Sequence, residues 1–150
     1  MPDIVDVETR SRMMAGIRGK DTKVETAIRK ALFARGFRYR LHDPRLPGKP
    51  DVVLPRYRAV ILVNGCFWHG HNCDLFKMPS THRDFWRTKI AKSRQNDRKV
   101  IEALRSQEWR VLTVWGCAMK GRKRRPLDKI VQEIETWLRS DSQIAEIKGC

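Results

Sequence analysis

No apolar run in this chain approaches the roughly 20 residues a helix needs to cross a bilayer, although 41% of its 150 residues are hydrophobic. The opening Met-Pro-Asp-Ile-Val-Asp lacks the basic-then-apolar plan of a secretory signal. The expectation is therefore a cytoplasmic protein with no membrane span. Glycine and proline are sparse, at 9 and 7 residues, and with five tryptophans available for a core this excludes a disordered or low-complexity chain. Only four cysteines are present, and in a reducing compartment so few thiols point to metal ligation or free side chains, not to a disulfide frame. Negative charge is outnumbered by positive. Seventeen Asp and Glu face 32 Lys and Arg, a formal charge of +15, and the excess is spread through all three thirds of the chain. A polyanion offsets self-repulsion of that size in a compact body, and nucleic acid is the commonest one. A basic protein that binds none is the alternative.

What is present organises as one α/β domain, with a core over about 9–138, a basic loop over 120–125 and a short C-terminal tail over 141–150. Asp21 caps a predicted helix over 22–35 whose Val24, Ala27, Ile28, Ala31 and Leu32 share one face, and Gly36 stops it. A shorter helix is expected over 9–18. Residues 37–41 alternate like a strand, and 42–50, with three prolines, read as a loop. Val52-Val53-Leu54 and 59–63 form a predicted hairpin, the second strand apolar throughout and therefore central. A long helix over about 81–105 is expected to bury Phe85, Ile90, Val100, Ile101 and Leu104. It leads to a strand over 110–115, and Pro126 opens a last helix reaching Leu138. A strand, a long helix and a strand make a right-handed crossover, so 59–63 and 110–115 should pair in parallel within a mixed sheet flanked by helices.

Those two strands end in similar words, Val63-Asn64-Gly65-Cys66 and Val114-Trp115-Gly116-Cys117, so parallel pairing brings both thiols to one edge. With His71 and Cys73 they give three cysteines and one histidine, the composition of a closed tetrahedral structural zinc site. Buried thiols beside a surface histidine are the alternative. Phe67, Trp68 and His69 sit inside this loop. Such aromatics either cap the metal site as local core or form a rigid tip that stacks on bases, and Trp86 close behind allows the same two readings. Asp51 follows the rigid turn Leu46-Pro47-Gly48-Lys49-Pro50 and opens a strand, where a carboxylate is placed to bind a hard divalent ion. Glu25 and Asp97 lie on helices and are weaker candidates, with a solvated helix face as the alternative.

Pro50-Asp51 followed by the hairpin resembles the PD-(D/E)XK nuclease core, yet the second strand reads Leu62-Val63-Asn64 where that core has a carboxylate and a lysine. With Asn-Gly-Cys-Phe-Trp-His-x-His-x-Cys at 64–73, Leu-Pro-Gly-x-Pro-Asp at 46–51, Phe85-Trp86, Lys89-Ile90, Asp97 and Trp115-x-Cys117, the chain is similar to the very short patch repair (Vsr-type) mismatch endonucleases. The resemblance implies a restriction-endonuclease-like fold and a strand-specific nick beside the thymine of a T·G mismatch. It implies catalytic magnesium on Asp51 and the Val63 carbonyl, His69 as general base, and Glu25 and Asp97 as positioning carboxylates. It also implies structural zinc on Cys66, His71, Cys73 and Cys117, and a wedge of Phe67, Trp68 and Trp86. Mismatched duplex DNA is then the partner of a monomer, with mismatch-repair proteins and a cognate cytosine methyltransferase as candidate associates. Asn64 departs from the histidine expected there. Competing readings are a zinc-stabilised protein that binds distorted duplex without cutting, and a PD-(D/E)XK nuclease that cuts matched sites.

Overall fold

A computed structural model describes residues 23–66, 69–71, 73 and 77–149. The helix expected over 9–18 and the Asp21 cap lie outside them. The described chain runs α1 (Lys23–Ala34), β1 (Arg40–Leu41), β2 (Val52–Leu54), β3 (Ala59–Asn64), α2 (Arg83–Ser106), β4 (Arg110–Trp115), α3 (Leu127–Leu138) and β5 (Ile144–Ile147). The strands form one mixed sheet in the order β1-β2-β3-β4-β5. The first three are antiparallel, and β3, β4 and β5 are parallel.

Period-two alternation decides which side of the sheet each strand residue buries. Ala59 and Ile61 of β3 join Ile28 and Leu32 of α1 and Ile130 and Ile134 of α3 in one core layer. Val60 and Leu62 turn the other way, toward Leu104 of α2 and Trp109. Strand β3 reads as unbroken apolar sequence because helices cover both its faces. Burial of this kind stabilises each large side chain by about 1.5–3 kcal/mol.

Three expectations need correction. The strand predicted over 37–41 shrinks to Arg40–Leu41: Phe37 enters the core, and the Tyr39 hydroxyl donates to the Arg29 carbonyl at 2.9 Å, so these residues serve helix packing and not the ladder. Phe85, expected inside, is 58% exposed; it stands in the first turn of α2, ahead of that helix's first buried residue, Ile90. The tail over 141–150 is partly the parallel strand β5, paired Val111↔Ile144 through Val114↔Ile147. Four residues with Ile144 exposed leave too little hydrophobic pattern to mark an edge strand in sequence. Among the described residues, no helix is long and apolar enough to cross a membrane.

Candidate functional site

Strands β3 and β4 run in register from Ala59↔Arg110 to Asn64↔Trp115, so the chain leaves the sheet at matching points and Cys66 and Cys117 emerge side by side. The Cys117 N–H donates to Cys66 Sγ at 3.3 Å. His71 Nδ1 lies 3.5 Å from Cys66 Sγ and 3.6 Å from Cys117 Sγ. Its ring stacks on Trp115, 4.1 Å between centroids and 6° between planes. With Cys73, the four donor atoms all lie within 4.8 Å of one another. A tetrahedral ion with bonds near 2.3 Å to sulfur and 2.0 Å to nitrogen needs nitrogen-to-sulfur edges of about 3.5 Å, so these side chains fit such an ion. Burial, reinforced by the neighbouring Cys73 and Cys117 sulfurs, pushes the Cys66 thiol up to about 12 against the pull of the Cys117 N–H. A thiol so hard to ionise needs a cation beside it to become thiolate. Burial also holds His71 below the usual imidazole range, in the neutral form that ligates metals. Gly70 keeps the loop close to α2: its φ is +62°, and a Cβ there would stand 2.6 Å from Ile90 Cγ2, while Arg94 of α2 donates to its carbonyl.

A second cluster forms where the hairpin opens. Gly48, at φ +73°, lets the loop press on α2 so closely that a Cβ would sit 2.5 Å from Val100 Cγ1, and this contact delivers Asp51 to the start of β2. Asp51 Oδ2 accepts the Val63 N–H at 2.7 Å. The N–H and C=O of one strand residue point to the same side, so the Val63 carbonyl faces that side too. Burial pushes the Asp51 carboxyl above its ordinary range, opposed by the Val63 N–H and by His42 and His69. His69 Nδ1 lies 2.6 Å from Oδ2 of Asp97 on α2, each side chain one-quarter exposed. Glu25, Asp51, Val63, Asn64, His69 and Asp97 all line one cleft of about 680 Å³, which Lys49, Lys89, Lys92 and Lys120 also line.

The structure therefore gathers the predicted carboxylates and His69 in one place and the four predicted cysteine and histidine ligands in another. Phe67 and Trp68 lie outside the described residues. Trp86 is half-buried and packs edge-on against exposed Phe85 at 5.3 Å, and the Lys89 ammonium is 5.9 Å from its ring. Glu25 is not on a solvated helix face: it is 3% exposed. Sequence reasoning missed its partner, His42, whose Nε2 lies 2.8 Å from Glu25 Oε1. The signal was faint, since only the β1–β2 register, Leu41↔Val52, places 42 opposite 51.

Hydrolysis of a phosphodiester asks for an acid that grips a cation and a base that takes a proton from water. Presented from strand ends to a lysine-lined cleft on a mixed α/β sheet, such groups define a nuclease of restriction-endonuclease-like architecture. The model of the family described as DNA mismatch endonuclease Vsr matches residues 2–75. Over 147 residues the chain is 41% identical to the DNA mismatch endonuclease Vsr of Escherichia coli (strain K12), an alignment covering 98% of this chain and 94% of that protein. It is 42% identical over 137 residues to the type II nicking enzyme V.NmeAIP of Neisseria meningitidis, covering 90% and 98%. It is 41% identical over 134 residues to V.XorIIP of Xanthomonas oryzae pv. oryzae, covering 85% and 98%. The chain belongs to the Vsr family of DNA mismatch endonucleases.

Proposed function

We propose that this chain nicks one strand of duplex DNA beside the thymine of a T·G mismatch, the scar of 5-methylcytosine deamination, in a magnesium-dependent reaction. The observation that carries the reading is the pairing of two held groups in one cleft: Asp51, fixed by the Val63 N–H, and His69, fixed by Asp97. Asp51 and the Val63 carbonyl would hold magnesium, which when bound polarises the scissile phosphate and neutralises developing charge. His69, oriented through Nδ1, presents Nε2 to the attacking water and takes its proton as the new phosphorus–oxygen bond forms and the leaving oxygen departs. Asp97 steadies the resulting imidazolium, so it is a positioning residue, and Glu25 is a second. Lys49, Lys89, Lys92 and Lys120 meet backbone phosphates, a contact that sets register and weakens with salt.

Cys66, His71, Cys73 and Cys117 would hold zinc, because thiolate and imidazole suit it. Holding it there, these four side chains would fasten the ends of β3 and β4 and with them the loop carrying His69. Phe67, Trp68 and Trp86 act as the wedge: a T·G wobble is stacked less firmly than a matched pair, so unstacking costs least there. The relatives' descriptions as mismatch endonuclease and nicking enzymes support both the mismatch preference and the single-strand cut. A cytosine methyltransferase, which makes the base that deaminates, and mismatch-repair proteins are the expected associates.

The test is a T·G heteroduplex beside its matched control, both with magnesium, scored for nicks strand by strand. Cutting confined to the thymine strand of the mismatch supports the reading. Equal cutting of the matched duplex would make this a matched-site nuclease, and tight binding without any nick would make it a non-catalytic reader of distorted DNA.

A further inference from the structure

His42 occupies a costly position. It follows β1 with a left-handed backbone, φ 48°, a conformation that non-glycine residues adopt rarely. Its N–H donates to the Asp51 carbonyl at 3.3 Å, which locks the two residues side by side one step beyond the Leu41↔Val52 pair. The ring is 13% exposed and lies between two carboxylates. On one side, Nε2 stands 2.8 Å from Oε1 of buried Glu25. On the other, Nδ1 stands 3.9 Å from Oδ1 of Asp51.

The two distances do different work. At 2.8 Å Nε2 is within ion-pair distance of the Glu25 carboxylate, and with that edge of the ring turned to Glu25, Nδ1 is the nitrogen on the Asp51 side. At 3.9 Å the approach to Asp51 is too long for a hydrogen bond. It is within the range two donors on one ion can span: with bonds near 2.1 Å, ligand atoms lie about 3 Å apart at right angles and about 4.2 Å apart when opposite, and 3.9 Å falls between the two. An imidazole can serve one ion through one nitrogen only, so Glu25 belongs behind the ring. A carboxylate behind a histidine whose other nitrogen faces a cation is the usual way a metal-binding ring is oriented. Glu25, His42 and Asp51 bring their donor atoms within 4.8 Å of one another.

We infer that His42 is a nitrogen ligand, through Nδ1, to the divalent ion of the Asp51 site, and that Glu25 is the positioning residue that holds its ring. The inference rests on Asp51 being a metal ligand, as proposed above. It gives the site a mixed nitrogen and oxygen donor set, which raises affinity for first-row transition ions relative to an all-oxygen set.

Protein with its cysteine site loaded with zinc is titrated with Mn²⁺ alone, without DNA. Free Mn²⁺ is counted by electron paramagnetic resonance, and the bound ion is probed by electron spin-echo modulation for directly coordinated ¹⁴N. The expected result is one Mn²⁺ with a ¹⁴N coupling that survives His69→Ala and disappears in His42→Gln. His42→Gln should weaken Mn²⁺ binding at least tenfold, whereas Glu25→Gln should keep the coupling and weaken binding about 10–100-fold. Bound Mn²⁺ that Asp51→Asn removes but that carries no ¹⁴N coupling in the parent would overturn the inference and leave the Asp51 reading intact. A coupling lost in His69→Ala and kept in His42→Gln would overturn it in favour of His69. Absence of any bound Mn²⁺ in the parent would remove both readings. The parent and His69→Ala measurements decide the matter even if His42→Gln fails to fold.

Discussion

The two ends of the β3–β4 pair bury polar groups in opposite ways. At the start of β4, Arg110 is 9% exposed, yet its guanidinium donates to the carbonyls of Tyr57, Trp137, Leu138, Ser140 and Ser142 at 2.6–3.3 Å and lies 4.5 Å from the centroid of the Trp137 ring. Those carbonyls include the last ones of α3, which need donors from outside the helix. The chain itself satisfies this guanidinium and these carbonyls. At the other end, Cys66 and Cys117, each 2% exposed, converge with His71, and Asp51 gathers with Glu25 and His42 and shares its cleft with His69. Sulfurs and carboxylates gathered in that way could together hold a cation. A buried polar group that its own fold satisfies reads as structure, and one that awaits a cation reads as function.

The largest effect should come from removing the proposed zinc at the open end. Cys117→Ala, or chelation of the parent, should cost several kcal/mol and lower the melting temperature by more than about 10 °C, because binding a structural metal is coupled to folding. Metal analysis should find one zinc per chain in the parent, and a zinc-free protein with an unchanged melt would dissolve the contrast. Next, His69→Ala should keep DNA affinity and slow nicking by about 10² to 10⁴, measured in single-turnover assays on T·G duplex. A rate within threefold of the parent would move the base elsewhere.

At the closed end, Arg110→Met should destabilise by about 3 kcal/mol, since several buried carbonyls lose their donor together, while nicking per folded molecule stays unchanged. Denaturant melts and activity on the same sample separate the two. The smallest effect has the opposite sign. Burial raises the Asp51 carboxyl in the folded state, so keeping it ionised opposes folding at pH values above its folded pKa and not at pH values below the unfolded one. Asp51→Asn should therefore abolish nicking yet raise stability by up to about 1 kcal/mol at pH 7. That gain should shrink as the pH falls through the carboxylate range, and a variant less stable than the parent at pH 7 would mean that Asp51 supports the fold.

The halves of the molecule were not equally legible. Helix faces such as Ile28 and Leu32, the apolar β3 and the crossover to β4 follow from hydrophobic periodicity, which is local and repeats along the chain. β5 has too few residues for a period, and Phe85 obeys the helical pattern while standing one turn outside the core. In the site, Cys66, His71 and Cys73 announce themselves by proximity in sequence, and Cys117 by the parallel strand ends.

The α/β class, the cationic character and the chemical identity of the site's side chains follow from composition, period and residue type, which are properties of the chain. That Glu25 is buried, that His42 stands between it and Asp51, and that Asp97 reaches His69 from 28 residues away came from the packing of the folded chain. Those relations depend on the β1–β2 register and on how closely α2 approaches the loop at Gly48. Both are set by packing between elements far apart in sequence, where no local pattern records the distance.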